Sequence, residues 1–109
     1  MKTKKKYVPA PVDCGHIAIP EDVADLIERL AKNIHDIWAM KRLEDGWQWG
    51  PERCDVHKMH PCLIDYHELP ESEKSYDRAM ATETIKVIVA LGFRLEKQER
   101  DHRDPAVNR

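Results

Sequence analysis

Glycine is scarce, at four residues in a chain of 109. That argues against a turn-rich all-β fold, whose tight hairpins depend on glycine for positive φ. No long apolar run is present. The longest, Val87 to Leu91, falls far short of the roughly 20 residues needed to cross a bilayer. No signal-peptide core follows the lysines near the start; Tyr7-Val8-Pro9-Ala10-Pro11-Val12-Asp13 stands there instead. The cysteines are odd in number (Cys14, Cys54 and Cys62), which with the missing signal predicts reduced thiols in the cytoplasm. Charge of one sign does not dominate either. A formal net charge of -2 sets the domain apart from nucleic-acid-binding proteins, and no membrane contact is expected of it. Catalytic signatures are missing too: there is no glycine-rich phosphate loop, nucleophile elbow or metalloprotease His pair. The expectation is a protein that is not an enzyme and carries no cofactor.

What is present is helical in pattern. A hydrophobic fraction of 41% with 35% charged residues suits a mostly helical domain with charged outer faces and one modest core. Residues 1–6, with Lys2, Lys4, Lys5 and Lys6, read as a basic, disordered end. Residues 7–19 read as an extended arm set by Pro9 and Pro11, with a turn at Cys14-Gly15. Pro20-Glu21-Asp22 opens a first helix, whose apolar residues recur at Val23, Leu26, Ile27, Leu30, Ile34, Ile37 and Trp38. It runs to about Leu43, before Gly46. Residues 47–69 form a long Trp/His/Pro-rich loop, with strand pieces expected near Trp49 and over 62–65. A second helix begins near Pro70-Glu71, carries the stripe Tyr76, Met80, Thr84, Val87, Ile88 and Leu91, and ends at Gly92. Phe93-Arg94-Leu95 alternates like a short strand. Residues from Glu96 to the end form a charged tail without apolar periodicity. The fold class is mainly α: two amphipathic helices, a long loop and short strand pieces.

All three tryptophans fall in one segment, Trp38, Trp47 and Trp49. Asn33, His35, Trp38 and Arg42 share the first helix, and the spacing of the last three gives them one face. Trp with Arg suits a nucleotide: the ring stacks the base and the guanidinium grips phosphate. The alternative is that the tryptophans are packing and that Arg42 and His35 satisfy loop carbonyls. Trp49, past the helix and nearer the surface, is the best single candidate for stacking on a ligand. At the start of the second helix, Lys74 and Arg78 would reach a phosphate if that end faces the Trp loop. Glu73 and Asp77, four residues apart there, repel one another unless a cation lies between them. Cys54, His57, His60 and Cys62 have the right chemistry for zinc but the wrong spacing, so no metal site is expected.

Taken together, these residues resemble the RyR domain, the repeat found in tandem pairs in the cytoplasmic shell of ryanodine receptors and singly in prokaryotic proteins. The resemblance rests on Tyr7-Val8-Pro9, Ile19-Pro20, Leu30-Ala31-Lys32-Asn33-Ile34-His35, Trp38-Ala39, Arg42 and Gly46-Trp47. It continues through Trp49-Gly50, His60-Pro61-Cys62-Leu63, Tyr66, Leu69-Pro70, Glu73-Lys74, Tyr76-Asp77-Arg78 and Leu91-Gly92-Phe93, and so spans about residues 7–95. At Trp49 the family usually has a tyrosine, so a hydroxyl is replaced by an indole N–H. The resemblance implies two roughly antiparallel helices. Because paired repeats combine in the receptors, a single repeat is expected to form a homodimer. It also suggests a module that senses a nucleotide or nucleotide-derived signal, with tryptophan stacked on the base. It does not imply a channel, since the pore of the receptors lies elsewhere.

Overall fold

The structure is a computed structural model and describes residues 6–98. The basic run up to residue 5 and the tail from residue 99 onward lie outside the described residues. A 3-10 turn, Glu21–Val23, leads into helix α1, Ala24–Glu44. Pro20 precedes it with φ -62° and ψ 150°, and Glu21 and Asp22 lie at the positive end of the helix dipole. Helix α2, Glu71–Ala90, starts the same way behind Pro70.

Both helices also end alike. Gly46 has φ +91° and Gly92 φ +99°, values that L side chains adopt only at a cost. Gly46 N–H donates to the Leu43 carbonyl at 3.1 Å, and Trp47 N–H to the Arg42 carbonyl at 2.9 Å. In α2, Gly92 N–H meets Val89 at 3.0 Å and Phe93 N–H meets Ile88 at 3.2 Å. Each pair of bonds satisfies carbonyls that a helix end leaves open. The strand expected at Phe93–Leu95 does not form: the Phe93 N–H belongs to this cap, and no strand among the described residues pairs with it.

Between the helices the chain makes a small parallel ladder. Strand β1, Gln48–Trp49, pairs with β2, Met59–His60, with Gln48 opposite Met59 and Trp49 opposite His60. Cys54 and Met59 exchange two backbone bonds of 2.9 Å, folding the intervening turn back on the ladder. Gly50 is buried here, and a Cβ on it would stand 2.8 Å from the Cβ of Met59. The second strand thus lies earlier than the expected 62–65. His60 Nδ1 accepts the Cys62 N–H at 3.0 Å, which turns the chain around Pro61 and ends the strand.

Ala31, Tyr66 and Leu69 form the centre of the core, with Cys62 and Ile64 packed against them. Ala81 and Ile85 of α2 are also buried. The covered faces therefore differ from the expected stripes. In α1 the fully buried residues are Ala31 and His35, while Leu26 and Ile37 of the predicted stripe are exposed. In α2 they are Ala81 and Ile85, while Tyr76, Met80 and Leu91 are exposed. The physical reason is the small side chain of alanine, which lets neighbouring elements approach closely where a larger residue would hold them apart. The helices run antiparallel. Glu28 pairs with Arg78, whereas His35 and Trp38, further along α1, lie with Asp77 and Glu73, earlier in α2. The N-terminal arm is anchored by Cys14, a buried thiol that donates to the Glu83 carboxylate at 3.1 Å. No helix among the described residues is long and apolar enough to cross a membrane.

Candidate functional site

His35 organises the interior end of the site. It is buried, and its Nε2 lies 2.7 Å from the Ile64 carbonyl. A carbonyl only accepts, so Nε2 carries the hydrogen and Nδ1 is left over. The imidazole stacks on Trp38, with centroids 5.7 Å apart and planes at 29°. His60 meets the same indole edge-on at 4.9 Å. Burial, then the positive charges of Arg53 and Arg42, push the His60 pKa below its ordinary value, so this ring is neutral at pH 7. Its Nδ1 is already an acceptor for Cys62 N–H, which puts the hydrogen on Nε2.

A cavity of about 310 Å³ opens beside these rings. His35 and Trp38 form its α1 wall, and His60 and Cys62 come from β2 and the turn after it. Leu69 lines it from just before α2. The α2 wall consists of Glu73, Tyr76 and Asp77. Burial, followed by the nearby Glu73 carboxylate, pushes the Cys62 thiol up, so it stays protonated. Burial likewise raises the Asp77 carboxyl above its ordinary value, with His35 opposing the shift and Glu73 adding to it.

The structure brings His35 and Trp38 to this cavity and leaves the other predicted site residues off its wall. Arg42 packs over the Trp47 ring at 4.7 Å and the Trp38 ring at 5.8 Å, away from the lining. Trp47 is half-buried beside His60. Trp49 is 53% exposed on β1 and is not part of the lining. Asn33 is exposed; two residues before His35, it lies on the opposite side of α1. Lys74 lies 5.8 Å from the centroid of the Tyr66 ring and 3.9 Å from Glu71. Arg78 is held by Glu28 at 2.8 Å and Glu71 at 3.0 Å. The expected phosphate grip of Arg42 with Lys74 or Arg78 is thus dispersed, because each cation already has a partner within the fold.

Sequence reasoning did not assign Glu73, Tyr76, Asp77, His60, Cys62 or Leu69 to a pocket. The signal available was the uncompensated Glu73–Asp77 spacing. The Cys/His loop does not converge: His57 is exposed, Cys54 sits in the backbone bridge, and no metal-holding cluster occurs among the described residues.

A family model of the RyR domain matches residues 7–97, nearly all of the described chain. The chain belongs to the RyR domain family. In this RyR domain, the features shared with the family occupy structural roles as well as the cavity. Gly46-Trp47 closes α1, His60-Pro61 ends β2, and Tyr66 and Leu69 build the core. Chemically, the cavity offers an indole face and two carboxylates, with no lysine or arginine on its wall. It suits a flat, nitrogen-bearing group better than an anion.

Proposed function

We propose that this RyR domain is a non-enzymatic binding module for a small molecule, a nucleotide or nucleotide-derived signal. The observation that carries the reading is the cavity between α1, α2 and β2 with Trp38 on its wall. A base laid on Trp38 would present its amino edge to Glu73 and Asp77, and the phosphates would stay outside, away from the carboxylates. Its volume of about 310 Å³ lies at the small end of ligand sites, enough for a base but not a whole nucleoside triphosphate. The three free cysteines suit a reducing compartment, and we place the protein in the cytoplasm. The test is a tryptophan-emission titration with ATP, AMP and adenosine. Saturable quenching is expected, and Trp38→Ala is expected to weaken it by about tenfold, the low end of what removing a base-stacking ring costs. A folded Trp38→Ala variant with unchanged affinity sinks the reading.

A second reading is supported by a different observation. Leu26, Ile37 and Met40 leave an apolar row on α1 that nothing among the described residues covers. We propose that a second copy of the chain covers it, forming a homodimer.

A further inference from the structure

We infer that the cavity selects a planar organic cation, an amidinium or guanidinium group; this rests on the reading above that the cavity is a small-molecule site, and puts a cation where that reading puts a nucleotide base. Glu73 and Asp77 stand one helical turn apart on α2, and both line the cavity. Neither takes part in an ion pair among the described residues. The cations nearest in sequence are engaged elsewhere, Lys74 with Glu71 and Arg78 with Glu28 and Glu71. Two like charges at this spacing repel; burial raises the Asp77 carboxyl, His35 across the cavity opposes that shift, and Glu73 adds to it.

An independent observation comes from α1. His35 is only 4% exposed and lines the same cavity. Among the described residues its single hydrogen bond runs from Nε2 to the Ile64 carbonyl, which leaves Nδ1 without a partner among them. Nδ1 is not a sealed, unsatisfied atom, and the His35 side chain borders the cavity. The wall therefore presents acceptors: two carboxylates and one imidazole nitrogen. The aromatic faces of Trp38 and Tyr76 complete a setting in which a cation is favoured and a phosphate is repelled. A planar group fits better than a rounded ammonium. It can slide along the indole and direct parallel N–H donors at a carboxylate in bidentate fashion.

The experiment uses the full chain with benzamidinium and its neutral, nearly isosteric counterpart benzamide. Tryptophan emission and calorimetry give the affinities at pH 7.5, and adenosine and ATP are titrated alongside. Benzamidinium is expected to bind saturably and at least about tenfold more tightly than benzamide, the difference that one charge-assisted hydrogen bond supplies. Glu73→Gln and Asp77→Asn are each expected to weaken benzamidinium about fivefold or more and leave benzamide unaffected. Equal affinity for the two probes overturns the inference, as does ATP binding more tightly than adenosine. Adenosine binding with no preference for benzamidinium leaves the ligand-binding reading standing and removes the inference alone. Silence towards every probe removes both.

Discussion

Tyr66 donates its phenol hydrogen to Glu28, and Arg78 holds the same carboxylate at 2.8 Å. This small network ties the end of the loop to both helices, and it makes stability depend on pH in two opposite ways. The Arg78 bond, and after it the Tyr66 bond, hold the Glu28 carboxyl below its ordinary 4.5. The unfolded chain takes up that proton first, so the stabilisation is complete above the ordinary value and is lost as pH falls through the folded one. Tyr66 behaves the other way. Burial, then the Glu28 bond, push its phenol from 10.0 to about 12. Its contribution is complete below pH 10.0 and is lost as pH rises towards about 12. Denaturant midpoints measured across pH are expected to fall on both sides. Glu28→Gln should flatten the acid limb and Tyr66→Phe the alkaline one. An acid limb that persists unchanged in Glu28→Gln would show that other carboxylates produce it.

The helices show which parts of a fold are written as punctuation and which as packing. Their limits were legible because Pro20 and Pro70 begin them and Gly46 and Gly92 end them, through backbone constraints that act locally. Their inner faces were not legible. The contacts at Ala31 and Ala81 depend on small side chains, which a pattern of large apolar residues does not register. For the site, Trp38 and His35 stood out by residue type and helical spacing. Asp77, Glu73 and Tyr76 did not, because only the antiparallel packing of α2 carries them to the same wall. The strand piece at β2 was displaced by a side chain, His60, acting on the backbone two residues later, and residue propensities carry no trace of that. The cap glycines give a direct check. A Cβ on Gly46 or Gly92 would touch nothing within 4 Å, so a substitution there would meet backbone strain alone. Gly46→Ala and Gly92→Ala are each expected to lower stability by about 1 kcal/mol, read as a shift in urea midpoint at constant slope. A loss several times larger would mean that steric contact, not φ, governs these ends.

Considered whole, the molecule covers one side of each helix and leaves the other open. Among the described residues, Leu26, Ile37 and Met40 on α1 and Tyr76 and Met80 on α2 are all exposed, the kind of apolar surface a partner chain covers. Covering by a second copy predicts a dimer mass in solution. Ile37→Glu, which places a charge on the row away from the cavity lining, should yield a monomer of unchanged helicity. Trp49→Ala separates interface from pocket: a monomeric variant would assign that exposed indole to the dimer contact. A wild-type chain that stays monomeric at high concentration removes the homodimer.

The side-chain contacts that hold α1 and α2 in place are distant along the chain. Tyr66 reaches back 38 residues to Glu28, Arg78 reaches back 50, and Cys14 meets Glu83 across 69. An antiparallel helix pair joined by a tight turn can close from its turn outward, but this pair cannot. Each doubling of an open loop adds about 0.6 kcal/mol of closure entropy, so the order in which contacts form matters. The two-residue ladder between β1 and β2 links residues far closer along the chain. Once Trp49 lies beside His60, the residues between them no longer count towards the distance that α2 must bridge. The small sheet, too slight to contribute much to the finished core, shortens the search by which the helices find one another.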